Sequence, residues 1–112
     1  DQQPDKIFYQ GLAWRALGDE NRARGCFNKL IKHGEKHLFD TCRIDYFAVS
    51  LPDLAIWEDD LNKRNRIHCN YVMGLGYLGL DEIPEAAGFL DKVIELDINH
   101  QGAQIHRSLC DA

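Results

Sequence analysis

Residues 74–79 have the spacing of a phosphate-binding motif. They read Gly-Leu-Gly-Tyr-Leu-Gly, and a G-x-G-x-x-G turn lets the backbone approach the pyrophosphate of a dinucleotide when it follows a strand and opens a helix. Here the preceding residues have helical periodicity, and Pro84 interrupts the helix that would have to continue. We therefore expect neither a dinucleotide nor any other cofactor.

Two histidines have the spacing of a metal-binding pair. His33 and His37 would lie on one side of a continuous helix, where two imidazoles can share a metal ion. Gly34 weakens that helix, spacing places no third ligand, and basic residues at a helix end are the commoner explanation. We therefore expect no metal site.

The remaining charged and nucleophilic residues do not indicate catalysis. Glu58-Asp59-Asp60 precedes a basic stretch, and carboxylates near the start of a helix favour its positive end. No Ser/His/Asp or Cys/His spacing fixes a nucleophile beside its base. The sequence therefore predicts no catalytic residues and no enzyme.

Composition narrows the class of partner. The 112 residues suit one domain spanning 1–112, and 45% apolar with 28% charged residues is typical of a globular chain. No stretch approaches the ~20 apolar residues of a membrane span. Eighteen acidic and thirteen basic side chains give a net charge of -5, without the positive surplus that nucleic-acid binding needs. We expect neither nucleic acid nor membrane as a partner and, from four scattered cysteines, a cytoplasmic location.

The elements that position these residues are duplicated. At an offset of 63 residues, 9–31 aligns with 72–94 without a gap. The identical pairs are Gly11/Gly74, Leu12/Leu75, Leu17/Leu80, Ala23/Ala86, Gly25/Gly88, Lys29/Lys92 and Ile31/Ile94. Apolar residues three and four apart in each copy predict two helices joined by a tight turn. The predicted fold is all-α: repeat one at about 5–34, an ordered insertion at about 35–60, repeat two at about 61–98, and the start of a capping helix at about 100–110.

Local signals predict the ends of these helices. We expect Gly18 to end the first helix, Asp19 to cap the second, and Gly34 to stop the second helix or kink it. In the second copy we expect a long helix over about 61–80 and a partner helix over about 84–96, with a proline in its first turn. The insertion fits either an extended segment or a short extra helix.

The matched positions resemble the tetratricopeptide repeat family, which sets a small residue, an aromatic, Leu-Gly, Ala and an aromatic at these intervals. They are Gly11, Trp14, Leu17, Gly18, Ala23, Phe27 and Leu30 in copy one, and Gly74, Tyr77, Leu80, Ala86, Leu90 and Val93 in copy two. The chain departs from the family at Asp81, where the turn usually has glycine, and at Glu35 and Ile98, where a proline usually closes the repeat.

The resemblance implies a short solenoid of helical hairpins that acts as a non-catalytic protein–protein or interdomain scaffold. Its partner would be a protein, a peptide or another domain of the same chain, bound in a groove lined by the first helix of each hairpin. The implied groove residues are Phe8, Tyr9, Leu12, Arg15, His68, Tyr71, Leu75 and Leu78. Phe8 and Leu12 replace the cation and amide of the family's clamp for acidic chaperone tails, so such tails are not expected. The same face could instead be covered by the insertion or by other parts of a longer protein.

Residues 45–53 and 60–65 carry a second resemblance. They look like a stretch in the tetratricopeptide repeat region of large multidomain bacterial proteins, whose other part is β-rich and similar to carbohydrate-processing enzymes. This resemblance implies an alternative function, an accessory module of a carbohydrate-active enzyme.

Overall fold

The computed structural model describes residues 4–38 and 52–111, with side chains described for 4–38 and 61–111. The described residues form five α-helices: α1 Pro4–Ala16, α2 Glu20–His37, α3 Pro52–Gly79, α4 Ile83–Leu96 and α5 Gln101–Leu109. The all-α prediction is confirmed for this part of the chain. Residues 39–51 of the predicted insertion lie outside the described residues, and from Pro52 onward the insertion belongs to α3.

The two hairpin turns, α1–α2 and α3–α4, have the same backbone hydrogen bonds. The N–H groups of Leu17, Gly18 and Asp19 donate to the carbonyl oxygens of Ala13, Arg15 and Trp14, and those of Leu80, Asp81 and Glu82 donate to Gly76, Leu78 and Tyr77. Every donor and acceptor is displaced by 63 residues. Gly18 has φ 86° and Asp81 has φ 65°, a left-handed conformation that glycine adopts freely and aspartate tolerates. The departure at Asp81 therefore leaves the turn unchanged.

Asp19 caps α2 as predicted. Its Oδ1 accepts a hydrogen bond of 3.1 Å from the backbone N–H of Arg22, which satisfies one of the free donors at the helix start. The prediction that Gly34 stops α2 is wrong, because the helix continues to His37. A Cβ at Gly34 would lie 2.9 Å from the carbonyl oxygen of Cys69. This glycine therefore permits close contact with α3 rather than ending α2.

The core forms where consecutive helices pack against one another, and α1 also contacts α3. Phe27 is fully buried, and its ring lies against Gly11, where a Cβ would be 2.5 Å from the ring carbon Cε1. The equivalent contact in the second hairpin joins Leu90 to Gly74, where a Cβ would be 2.8 Å from Leu90 Cδ2. The two hairpins are therefore closed by matching large-to-glycine contacts.

The G-x-G-x-x-G stretch lies inside α3, and each of its glycines faces a neighbouring helix. Gly74 contacts α4 as described, whereas Gly76 and Gly79 face α2 at Phe27 and Ile31. A Cβ at Gly76 would lie 2.8 Å from the carbonyl oxygen of Phe27. The spacing therefore serves helix packing in this fold.

Candidate functional site

Three of the predicted groove residues belong to the core. Phe8, Tyr71 and Leu75 are 2%, 6% and 0% exposed, and Leu12 and Leu78 are partly buried against the same core. The described helices cover Phe8, Tyr71 and Leu75, so a partner could contact these three only by displacing packed residues. Of the eight predicted residues, Tyr9 and His68 are exposed, and Arg15 is partly exposed, as are Leu12 and Leu78.

Arg15 is held by bonds within the molecule. Its Nη2 donates to the carbonyl oxygen of Gly79 at 2.7 Å, and its Nε and Nη2 each donate to the Glu20 carboxylate at 3.2 Å. The guanidinium carbon also lies 5.2 Å from the centre of the Phe27 ring. The paired cation lowers the pKa of the Glu20 carboxyl. Arg15 thus joins α1 to the end of α3 and to α2, rather than offering a free cation.

Tyr9 lies at a polar contact between the first and last helices, which we call the α1–α5 seam and define by Asp5, Tyr9, Tyr71 and His106. The Tyr71 hydroxyl donates to Asp5 Oδ1 at 2.5 Å. His106 Nδ1 lies 2.7 Å from the carbonyl oxygen of Gly102, so the hydrogen-bond geometry assigns the ring proton to Nδ1. His106 Nε2 can then accept from the Tyr9 hydroxyl at 3.0 Å.

Half of the seam is shielded from water, since the Asp5 and Tyr9 side chains are exposed. Tyr71 and His106 are buried, whereas Tyr9 is 50% exposed. Burial and the hydrogen bond to Asp5 raise the pKa of Tyr71. Among the side chains that the structure describes, no buried polar atom lacks a hydrogen-bond partner. A satisfied network of this kind fixes α5 against α1 and α3 and leaves no unused group for chemistry.

His106 is a seam residue that the sequence pattern alone does not single out. The available signal is its spacing, since Ala103 and His106 fall three residues apart on one face of α5, and Cys110 follows four residues later at the end of that helix. A histidine on an otherwise apolar helix face needs a buried polar partner. Its partners on α1 and α3 are 97 and 35 residues away in the chain, which is why local pattern alone did not reveal them.

His68 lies at a concave site between the two hairpins, which we call the inter-hairpin cavity. Its volume is about 290 Å³, at the small end of the range for ligand pockets. The lining comes from α1, α2 and α3: Pro4, Ile7, Lys29, Leu30, His33, His68 and Val72. Because α1 and α2 belong to the first hairpin and α3 to the second, the cavity exists only when the hairpins are packed together.

Three histidines lie beside one another, and two of them, His33 and His68, line this cavity. The ring centre of His33 is 4.6 Å from that of His37 and 6.0 Å from that of His68. Partial burial and the neighbouring imidazoles lower the pKa of His33 and of His68, and Lys36 adds to the effect on His33. Both rings therefore favour the neutral form in the folded protein.

The histidine cluster does not form a metal centre as built. Among the described residues, no group of three or more His, Cys, Asp or Glu side chains is arranged to hold a metal ion. In the same part of the chain, no helix combines the length and apolar character needed to span a bilayer.

No protein-family model matches this chain, and no solved structure matches it significantly. A function must therefore be inferred from the geometry of the chain itself.

Proposed function

We propose that this chain is a non-catalytic interaction scaffold of the tetratricopeptide type, in which two helical hairpins bind a segment of a protein partner or of another domain. The duplication supports this proposal, since both hairpins have the same turn hydrogen bonds at an offset of 63 residues. Stacked hairpins of this kind present surfaces formed between repeats. In this chain such a surface is the inter-hairpin cavity.

The cavity is the observation that carries the proposal. In this proposal the cavity takes the place of the groove expected from the resemblance. Three of the groove residues, Phe8, Tyr71 and Leu75, are in the core. Lys29 and His68, in contrast, are exposed at the cavity. About 290 Å³ suits one side chain of a partner segment and its immediate neighbours. The partner would therefore be anchored by a single residue, with weaker contacts along the adjoining helices.

A steric block tests this proposal. Peptides are first selected by display against the folded protein, and their dissociation constants are then measured by fluorescence anisotropy. His68→Trp introduces a bulky side chain at the cavity, and we expect it to weaken peptide binding at least tenfold. Asn28→Trp is the matched control, because Asn28 is exposed on α2 but does not line the cavity.

Two results would count against the proposal. Equal affinities of the two tryptophan variants would exclude the cavity as the binding site. A library that yields no peptide binding above scrambled controls would exclude a peptide-binding scaffold altogether. Circular dichroism should show the same helix content in both variants, since both substituted residues are exposed.

The accessory-module alternative stays a prediction. Sugar-binding sites stack pyranose rings on exposed aromatic faces, and Tyr9 is a half-exposed aromatic residue of the described surface. Its ring, however, already packs against other rings, with centre-to-centre distances of 5.1 Å to Phe8 and 5.9 Å to His106. Calorimetric titration with oligosaccharides tests this function directly. Heat of binding that disappears in Tyr9→Ala would favour it over the scaffold.

A further inference from the structure

The inter-hairpin cavity combines one lysine with two histidines in an acidic protein. The chain carries eighteen acidic side chains, yet none of those that the structure describes is among the residues that line the cavity. Lys29 and His33 are one turn apart on α2, and His68 approaches them from α3. Three nitrogen-bearing side chains thus meet at one site without a carboxylate among them.

The Lys29 ammonium is available to a ligand. Within the described residues, the ion pairs of the basic side chains involve Arg15, Arg22, Arg24 and Arg107, and none reaches Lys29. The side chain of Lys29 is exposed at the cavity rim. An unpaired ammonium beside two imidazoles can donate hydrogen bonds to an anion from several directions.

The rest of the cavity wall is apolar. Pro4, Ile7, Leu30 and Val72 supply aliphatic surface from three helices. Pro4 also begins α1, so the positive end of that helix dipole adjoins the same space. A bare anion would leave this wall uncovered, and a wholly apolar ligand would leave the three nitrogens without an acceptor. The site therefore fits a ligand with both parts.

We propose that the inter-hairpin cavity binds a phosphoryl group carried on a short apolar or aromatic stem, as in a phosphorylated tyrosine of the partner segment. A phosphoryl group has a charge of about -1.5 to -2 at neutral pH and three strong acceptor oxygens, which match the three donors Lys29, His33 and His68. The stem covers the aliphatic wall. This inference rests on the proposed scaffold function and specifies the chemistry of its anchor.

Calorimetric titration at pH 7 tests the ligand class with phenyl phosphate, phenol, inorganic phosphate, and a tyrosine peptide with and without phosphorylation. We expect phenyl phosphate to bind at least tenfold more tightly than phenol or inorganic phosphate, and the phosphorylated peptide to bind more tightly than its unmodified form. If phenol binds with the same affinity as phenyl phosphate, the phosphoryl assignment is overturned. If inorganic phosphate binds with the same affinity as phenyl phosphate, the role of the stem is overturned.

A pair of lysine variants tests the location. Lys29→Gln should weaken binding of the phosphorylated peptide about tenfold, the loss expected for one charge-assisted hydrogen bond at an exposed site. Lys32→Gln is the matched control: it makes the same charge change on α2 but does not line the cavity. Equal effects of the two variants would overturn the assignment, since they would show only general attraction to a basic helix.

Ring resonances in NMR spectra provide a readout that is independent of affinity. Addition of phenyl phosphate should shift the signals of His33 and His68 more than the signal of His106, whose ring is held in the α1–α5 seam. A larger shift of the His106 signal would overturn the location of the site.

The two proposals can fail separately. If peptide binding is blocked by His68→Trp but does not depend on phosphorylation of the peptide, this inference is rejected and the scaffold proposal is retained. Absence of any peptide binding would reject both.

Discussion

Replacing Gly76 by alanine should force α2 and α3 apart. A Cβ at this position would lie 2.6 Å from Ile31 Cγ1 and 2.8 Å from the carbonyl oxygen of Phe27. Favourable contacts between such atoms are about 3.5–4.0 Å long. Ile31 can rotate its side chain, but the Phe27 carbonyl is part of the α2 backbone and moves only if the helix moves. The strain is therefore shared by the whole α2–α3 interface.

Two opposing effects set the size of the change. Alanine is favoured over glycine inside a helix by about 1 kcal/mol. Overpacking of a close contact costs about 1–3 kcal/mol, and the upper part of that range applies because one of the two obstructing atoms is backbone. We therefore expect Gly76→Ala to lower the free energy of unfolding by about 1–2 kcal/mol.

Gly88 provides the matched control. It is exposed in the interior of α4, and a Cβ there would meet no atom within 4 Å, so Gly88→Ala should raise the free energy of unfolding by about 0.5–1 kcal/mol. Urea unfolding followed by circular dichroism measures both variants. If Gly76→Ala is as stable as Gly88→Ala, the close packing of α3 on α2 is refuted. The dinucleotide interpretation of 74–79 would instead predict an unchanged fold and a lost cofactor.

Three further perturbations test other parts of the structure. Gly18→Ala should cost about 1–2 kcal/mol although no atom obstructs its Cβ, because φ is 86°; unchanged urea unfolding would contradict this. Tyr71→Phe should cost about 0.5–1.5 kcal/mol at pH 8, since it removes the hydrogen bond to Asp5, whose exposed carboxylate can then bind water. The raised pKa of Tyr71 keeps its hydroxyl neutral in the folded state while the unfolded chain ionises near pH 10. Wild-type stability should therefore fall as pH rises above about 10, and the variant should lose less; equal losses in alkaline unfolding would speak against the buried hydroxyl. For His33 and His68 the lowered pKa means that the unfolded chain binds more protons just below pH 6.5, so stability should fall as pH decreases through this range. His68→Gln should flatten that decline in unfolding experiments from pH 7 to pH 5, and parallel curves would argue against it.

The sequence was sufficient to predict the hairpins because their closing contacts are local. Gly11 with Phe27 and Gly74 with Leu90 are each separated by 16 residues, and each pair spans a turn whose signals are also local. Helical periodicity and the turn signals were enough to predict the helix pairs, whereas the large partner of each glycine is known only from the structure. The turn at Asp81 shows that a matching position can keep its conformation when the residue type changes.

The groove could not be predicted with the same success, because exposure of a helix face depends on distant helices. Phe8 and Tyr71 lie on the faces that the repeat pattern assigns to a groove, but the α1–α5 seam closes over them through His106. Likewise Gly34 has the local character of a helix stop, and only the approach of α3 explains why α2 continues through it. Neither the burial of the groove face nor the continuation of α2 through Gly34 can be predicted from the residues within one helical turn.

Comparison of the two copies shows where the hairpins meet. Gly76 and Gly79 of α3 correspond to Ala13 and Ala16 of α1 at the offset of 63 residues, and these two alanines are exposed. The difference arises because, in the described part of the chain, this side of α3 packs against the other hairpin, whereas the same side of α1 does not. Phe27 fills the space between α1, α2 and α3 at this end, against Gly11 and Gly79. At the other end the same three helices contribute smaller aliphatic side chains such as Ile7, Leu30 and Val72, and the inter-hairpin cavity remains. The glycine contacts and the proposed binding site therefore share one interface, so the exposed-residue variants at the cavity are the ones that test binding without altering the close helix packing.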